Sequence, residues 1–329
     1  MKRSILSLCL SVLLLSLLLS GCVGSNATGQ TGSTQTSGSQ PSAAAPQPSP
    51  SAAPTLTPAP SPTPAPTLPP AFDGERAYED VKYQVDLGPR TPGSQPHAQT
   101  VAWMQNELEQ SGWTVERQET TYQHQPVRNV IAKRGTGKPW IILGAHFDSR
   151  MKADQDPERP NDPVPAANDG ASGIAVLLEL ARVLPQDLNK QIWLVMIDSE
   201  DQGGLPGWDW LYGSRAFVES LKETPDSVVI IDMIGDADLN IYIERNSTPA
   251  LSEEIWAMAA QRGHEDVFIP RPKWNMIDDH TPFLEKGIHA VDIIDFDYPY
   301  WHTTQDTVDK VSAKSLHAVG DTLLYWLMK

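Results

Sequence analysis

The sequence predicts an α/β domain with a mostly parallel central sheet. Three apolar runs rich in β-branched residues, at 139–145, 192–197 and 227–234, have the length and composition of strands that are buried on both faces. Segments with apolar residues at helical spacing alternate with these runs, which is typical of a parallel sheet covered by helices. The chain has 329 residues, enough for one large domain or two small ones, and no internal repeat divides it.

The N-terminus is predicted to be a lipoprotein signal peptide over residues 1–22. Lys2 and Arg3 precede an apolar run at 5–19, and a small-residue cleavage site ends at Cys22. The apolar run is shorter than the roughly 20 residues that a transmembrane helix needs. This ending resembles the lipobox of bacterial lipoproteins, which implies that Cys22 is lipidated and anchors an extracytoplasmic protein to a membrane. An ordinary signal peptide and an uncleaved anchor are the alternatives.

Residues 23–71 are predicted to be a disordered linker. The segment is dominated by Ser, Thr, Gln, Ala and Pro and has no charged residue, so it cannot bury enough apolar surface to offset its ordering entropy. Its Pro-rich part is expected to be a semi-extended spacer. The linker would hold the following domain, residues 72–329, away from the membrane.

Charge and cysteine content exclude several classes of partner and site. Without the signal peptide the chain has 23 basic and 41 acidic residues, a net charge of −18, which argues against binding to nucleic acid or anionic lipid. The cysteines are Cys9, inside the signal peptide, and Cys22, so the mature domain has no disulfide framework and no thiolate metal site. We expect the domain to act as a monomer.

The first elements of the domain are predicted to be two helices and a strand pair. Apolar residues at helical spacing predict a helix at 72–87, and turn residues that begin with Gly88 end it. A second amphipathic helix at 96–111 stops at a glycine. Strands at 113–122 and 127–134 flank a short turn, so we expect them to be antiparallel neighbours.

The remaining elements alternate between strand and helix. A polar, Pro-rich loop at 150–167 follows the strand at 139–145 and is expected to cross the edge of the site. The later elements are predicted in this order: a helix at 174–184, the strand at 192–197, a loop and helix at 208–220, the strand at 227–234, a short strand at 239–244, a helix at 251–262, a short helix at 278–284, a strand at 289–296 and a helix at 313–328.

Polar side chains that can bind metal recur where the predicted strands end. They are His146, Asp148, Asp169, Glu200, Asp201, Asp232 and His302. The carboxyl ends of parallel strands lie along one edge of a sheet, where open α/β sheets bind ligands. His, Asp and Glu without Cys are the ligand set of a catalytic zinc site. The alternatives are a hydrogen-bonded structural histidine for any single position, and a solvated acidic loop for the stretch after residue 197.

The order of these residues resembles the M28 family of zinc aminopeptidases, from about residue 73 to the C-terminus. The resemblance implies a three-layer α/β sandwich with a central, mostly parallel mixed sheet. Three motifs, at 211–215, 278–284 and 301–303, are similar to those of the glutaminyl cyclase branch of this superfamily (Leu-Tyr-Gly-Ser-Arg, Asp-Asp-His-Thr-Pro-Phe-Leu and Trp-His-Thr).

The cyclase branch implies a single zinc ion with Asp169, Asp201 and His302 as its ligands. Glu200 would then be the acid/base catalyst. The resemblance further implies that Asp232 and Asp279 form a hydrogen-bonded carboxylate pair. It also implies that Trp208 and Trp301 line the substrate pocket.

The peptidase pattern implies two zinc ions in the same chain. Asp169 would bridge them. His146 and Asp232 would hold one ion, and Asp201 and His302 would hold the other. Glu200 would activate a bridging water. In one place the chain departs from the family, since Glu200 precedes Asp201 where a second Glu is usual; a shorter side chain requires a local shift of the backbone to reach the metal.

The sequence therefore supports three hypotheses. The first is a zinc-dependent glutaminyl-peptide cyclotransferase, which converts the N-terminal Gln of a peptide to pyroglutamate and releases ammonia. The second is a zinc aminopeptidase, and both would take peptides with a free N-terminus. A dry aromatic pocket favours cyclisation over hydrolysis, and Trp210, Tyr298 and Tyr300 are further candidates to line it. The third is a non-catalytic peptide-binding lipoprotein, against which the presence of Glu200 and the full ligand set argues.

Overall fold

The computed structural model describes residues 70–329. The predicted signal peptide, residues 1–22, and nearly all of the predicted linker, residues 23–71, lie outside the described residues. Among residues 70–329, none of the helices combines the length and the hydrophobicity of a membrane-spanning segment.

The central sheet has six strands and is mixed but mostly parallel, as predicted. Its strands are β1 (Thr114–Tyr122), β2 (Gln125–Arg134), β3 (Trp140–His146), β4 (Gln191–Ile197), β5 (Ser227–Asp232) and β8 (Ala290–Ile294). Their order across the sheet is β1-β2-β4-β3-β5-β8. The four strands from β4 to β8 are parallel, whereas β1 and β2 form the predicted antiparallel hairpin and β2 pairs antiparallel with β4.

Helices cover both faces of this sheet, so the fold is the predicted three-layer α/β sandwich. The helices are α1 (Gly74–Asp86), α2 (Gln95–Gln110), α3 (Ala171–Val183), α4 (Tyr212–Ser220), α5 (Pro249–Arg262), α6 (Thr281–Glu285) and α7 (Ala313–Met328). One face of the sheet packs against α1, α2, α3, α5 and α7. The opposite face packs against α4 and α6.

Strand β3 shows why apolar and polar residues do not alternate along the central strands. All seven of its residues are buried. Because successive side chains of a strand point to opposite faces, Ile141 and Leu143 enter the core under the five-helix layer, while Ile142 enters the core under α4 and α6. Both faces of the strand are therefore apolar, as expected for a sheet that helices cover on both sides.

One strand was not predicted from the sequence. Strand β7 (Phe268–Pro272) pairs in parallel with β6 (Ile241–Ile243) in a separate two-stranded sheet. The segment contains Pro270 and Pro272. Because proline has no N–H to donate to a neighbouring strand, these residues disfavour the prediction of a strand.

The three-layer arrangement predicts that two consecutive residues of β3 are equally important for stability. Ile141→Ala and Ile142→Ala should each lower the free energy of unfolding by about 2–5 kcal/mol, because each leaves a cavity in a different core. Denaturant unfolding monitored by circular dichroism measures this. Ile277→Ala is the control, since the Ile277 side chain is 69% exposed. A normal free energy of unfolding for either β3 variant would contradict the two-sided burial.

Candidate active site

The ends of three adjacent parallel strands form the floor of the site. His146 is the last residue of β3 and Asp232 the last residue of β5. Glu200 and Asp201 lie in the turn that follows β4, which ends at Ile197. Since β4, β3 and β5 are neighbours in the sheet, residues that are far apart in the sequence meet at one edge.

Three further predicted residues reach this edge from connecting segments. Asp169 comes just before α3, Asp279 just before α6, and His302 from the segment between β8 and α7. All three are buried.

The predicted ligands form two groups that share Asp169. One group is Asp169, Asp201 and His302, and the other is His146, Asp169 and Asp232; within each group the potential ligand atoms lie within 4.8 Å of one another. In the first group, His302 Nε2 lies 2.8 Å from Asp201 Oδ1 and 3.8 Å from Asp169 Oδ2. In the second, His146 Nε2 lies 3.1 Å from both Asp169 Oδ1 and Asp232 Oδ1. The two oxygens of Asp169 thus face different histidines.

The unpaired oxygens of this cluster fit a bound cation. Asp169 Oδ2 and Asp201 Oδ2 are buried, and neither has a hydrogen-bond partner in the described part of the chain. An unpaired buried carboxylate is costly, and a divalent metal offsets both the lost hydration and the repulsion between acids. A nitrogen and oxygen ligand set suits zinc. Although Asp201 is shorter than the usual Glu, it is part of the first group.

Backbone strain is concentrated around the same edge. Ser199, Met233 and His302 have φ values of 54°, 47° and 55°, in the left-handed region that non-glycine residues seldom adopt. Such strain costs about 1–3 kcal/mol per residue and persists only where surrounding contacts impose it, most often at functional sites. Each of these residues lies next to, or is, a predicted site residue.

Burial gives the acids of the site unusual pKa values. Burial raises the pKa of Glu200 well above the usual range of a glutamate, and the nearby Asp201, Asp278 and Asp279 raise it further against the opposing effect of His146. Burial likewise raises the pKa of Asp232 to about 7 and that of Asp279 well above its usual range. A site built in this way can keep a proton on a carboxyl group near neutral pH.

Asp148 links the two strand ends, a role that the sequence did not reveal. Its carboxylate accepts hydrogen bonds from the backbone N–H of Glu200 at 3.0 Å and from that of Asp201 at 3.3 Å. The same carboxylate accepts from Gln202 Nε2 at 2.9 Å. Its Oδ1 lies 3.6 Å from His146 Nδ1, so Asp148 positions the acidic turn against the histidine.

A cavity of about 340 Å³ opens onto the cluster. Its polar wall is formed by Asp169, Glu200, Asp201, Asp232, Asp278 and His302. Its apolar wall is formed chiefly by Trp210, Met233, Trp274, Met276, Phe296 and Trp301. A larger cavity of about 620 Å³ lies near the starts of β3 and β5, but neither ligand group borders it, so chemistry and not size identifies the site.

The aromatic residues only partly occupy their predicted places. Trp301 lines the cavity and stacks on His302, with ring centroids 3.7 Å apart. Trp208 instead stacks on Tyr212 with centroids 5.6 Å apart and does not line the cavity. Trp210 takes the position expected of Trp208, with its ring 6.1 Å from that of His302.

Two other predicted aromatic candidates and one predicted acid lie away from the cavity wall. Tyr298 is buried and donates a hydrogen bond to Asp306 Oδ1 at 2.6 Å, and Tyr300 packs against Tyr298. Asp279 is fully buried, whereas the preceding Asp278 lines the cavity. Of the two acids that begin the motif at 278–284, Asp278 therefore borders the cavity and Asp279 is buried outside its wall.

The ligand cluster predicts that zinc stabilises the folded chain. At a free zinc concentration 100 times its dissociation constant, the free energy of unfolding should rise by about 2.7 kcal/mol, because the ligands converge only in the folded state. Thermal unfolding with zinc and with a chelator measures the difference. His302→Ala should abolish this gain, and an undiminished gain in that variant would remove His302 from the ligand set.

Comparison with known proteins points to one superfamily. The model of peptidase family M28 matches residues 129–327. A glutaminyl-peptide cyclotransferase-like protein of Bos taurus is 25% identical over 283 residues, covering 72% of this chain and 71% of the relative. An aminopeptidase of Bacillus subtilis is 30% identical over 201 residues, covering 55% of this chain and 39% of the relative.

Solved structures of an exopeptidase and of a glutaminyl cyclase are both similar to this chain. A zinc-dependent exopeptidase of Parabacteroides distasonis has a TM-score of 0.74 and 27% identity, covering 78% of this chain and 98% of that chain. The glutaminyl cyclase of Tannerella forsythia has a TM-score of 0.73 and 28% identity, covering 78% and 99%. These matches imply zinc and support a metalloenzyme, but the fold does not separate the two reactions. Because the family model spans more than half of the sequence, the chain belongs to peptidase family M28.

Proposed function

We propose that this protein is a zinc-dependent glutaminyl-peptide cyclotransferase, which converts the N-terminal Gln of a peptide to pyroglutamate and releases ammonia. Asp169, Asp201 and His302 would hold a single zinc ion. On the sequence interpretation, the enzyme would act outside the cytoplasm, tethered through a lipidated Cys22 and the linker at 23–71. The proposal extends the family assignment to one reaction.

The small aromatic cavity above buried acids is the observation that carries the proposal. A volume of about 340 Å³ is at the lower end of the range for small-ligand sites and suits a single terminal residue. Trp210, Trp274 and Trp301 form much of its apolar wall. With substrate in the cavity, such a wall would exclude water, which favours attack by the substrate's own amine over hydrolysis.

Glu200 is the proposed acid/base catalyst. The α-amine attacks the δ-carbon of the side-chain amide, a C–N bond closes the ring, and the original amide C–N bond breaks. Glu200 takes the proton that the amine loses and delivers it to the departing nitrogen, which leaves as ammonia. A carboxyl group whose pKa is raised by burial suits this shuttle because it holds the proton more firmly than an exposed glutamate would. Zinc, when bound, would polarise the amide carbonyl.

The other carboxyl groups would position the substrate. Asp232 and Asp278 border the cavity, and Asp279 is buried behind it. The carboxyl groups of Asp232 and Asp278 would accept hydrogen bonds from the α-amine and hold it near the amide carbon. Holding two reacting groups together can supply about 7–11 kcal/mol of the barrier reduction, so positioning would account for much of the rate.

A zinc aminopeptidase is the second candidate, and the group formed by His146, Asp169 and Asp232 favours it. This group could hold a second ion next to the first, with Asp169 between them. Glu200 would then act as general base toward water. The similarity to the Parabacteroides distasonis exopeptidase also supports this candidate.

Two substrates assayed in parallel test the proposal. The zinc-loaded mature chain should convert a peptide that begins with Gln into a product lighter by one ammonia, and it should leave aminoacyl anilides intact. Mass spectrometry follows the first reaction and absorbance of the released aniline follows the second. Hydrolysis of the anilides without loss of ammonia from the Gln peptide would assign the protein to the aminopeptidases instead.

Glu200→Gln should retain zinc and lose turnover by about 10²–10⁴-fold, because an amide cannot shuttle a proton. Cyclisation rates together with the metal content of the purified protein measure both effects. Glu223→Gln, at an exposed position after α4, is the matched control and should react at the normal rate. Full activity of the Glu200 variant would exclude this residue from the mechanism.

A further inference from the structure

We propose that Asp154, held by Arg150, is a positioning residue that orients His302 for metal binding. The inference rests on the zinc site of the proposed function but not on which reaction that site performs. Asp154 lies in the loop that connects β3 to α3.

Asp154 faces the ring nitrogen of His302 that points away from the ligand group. Its Oδ1 lies 3.4 Å from His302 Nδ1. The other nitrogen, Nε2, lies 2.8 Å from Asp201 Oδ1. A metal-binding histidine generally donates its second N–H to a carboxylate, which fixes both its tautomer and the orientation of its ring. The 3.4 Å separation is longer than an ordinary hydrogen bond, but it places the carboxylate within ion-pair distance of the ring nitrogen.

The position of Asp154 is set by a bidentate ion pair with Arg150. Arg150 Nε lies 2.7 Å from Asp154 Oδ1, and Nη2 lies 2.8 Å from Oδ2. The Arg150 side chain is 97% buried, whereas that of Asp154 is 38% exposed. Bidentate pairs of this kind fix geometry as well as charge.

Arg150 also connects Asp154 to the second ligand of the same group. Its Nη1 donates a hydrogen bond to the backbone carbonyl of Asp201 at 2.9 Å, and Nη2 donates to the carbonyl of Gly203 at 3.1 Å. One guanidinium therefore joins the turn that carries Asp201 to the carboxylate beside His302. Displacing it would disturb both ligands together.

The same loop holds the backbone of His302 in its strained conformation. The N–H of Gln155 donates to the carbonyl of His302 at 3.2 Å. Asp156 accepts a hydrogen bond from the backbone N–H of Thr304 at 3.0 Å and a further one from the hydroxyl group of Thr304. Because His302 has a φ of 55°, such contacts are needed to retain its conformation.

The alternative is that Asp154 only stabilises its own loop. A partly exposed ion pair contributes about 0–1 kcal/mol to stability, and its loss would then leave zinc binding unchanged. The two roles therefore differ in zinc affinity and in the protonation of the His302 ring, neither of which depends on catalysis.

Asp154→Asn and Asp154→Ala in the mature chain test the inference. Loss of a carboxylate behind a ligating histidine should raise the zinc dissociation constant by about 10–100-fold, and more for Ala than for Asn because Ala has no acceptor. Competition with a chromophoric chelator measures the constant. Nitrogen-15 NMR of the histidine rings should show a protected proton on His302 Nδ1 in the wild-type protein and rapid exchange of that proton in Asp154→Ala.

Glu158→Gln is the matched control, because Glu158 is an exposed carboxylate in the same loop. It should leave the zinc dissociation constant and the His302 signal unchanged, and circular dichroism should show all variants folded. Wild-type zinc affinity in Asp154→Ala, or equal weakening in Glu158→Gln, would overturn the inference. A wild-type chain that binds zinc tightly but cyclises no Gln peptide would overturn the proposed function and leave this one standing.

Discussion

The site depends on one electrostatic constraint: buried carboxylates that would repel one another are held together at the edge of the sheet. The parallel order of β4, β3 and β5 places the turn after β4, together with His146 and Asp232, at adjacent strand ends. Asp169 stands between the two histidines and shares its oxygens between them. A bound divalent cation would relieve this repulsion. Burial is the main cause of the raised pKa of Glu200, and the neighbouring acids raise it further.

Hydrogen bonds in the loops around the sheet oppose that repulsion, because they connect the segments that carry the metal-ligand candidates. Arg90 is fully buried, and its guanidinium donates to the backbone carbonyls of Phe147 at 3.0 Å, Pro165 at 3.1 Å and Ala166 at 2.6 Å. It thereby joins the segment after His146 to the segment before Asp169. Arg150 performs the corresponding task for Asp201 and His302. The buried guanidinium groups of Arg90 and Arg150 thus hold the segments that carry the ligands, while the ligand side chains face the site.

The sequence predicts the architecture and the ligand order more fully than the paths of the loops. Two-sided burial leaves a continuous apolar run, so strands such as β3 and β4 can be recognised, and the ends of parallel strands must converge. In contrast, Trp208 and Trp210 lie in the same loop, and the path of that loop decides which of them lines the cavity. No local sequence pattern indicates this path. The contact between Asp154 and His302 joins residues far apart in the chain, so only the folded structure reveals it.

We propose above all that a zinc ion lies between Asp169, Asp201 and His302. Anomalous diffraction from crystals of the zinc-loaded chain, measured on both sides of the zinc absorption edge, locates the metal directly. A zinc ion at this position should give a strong peak about 2.0–2.2 Å from the ligand atoms of these three side chains. A second peak between His146 and Asp232 would identify the two-metal site of an aminopeptidase. The absence of a peak at the first position would exclude this zinc site.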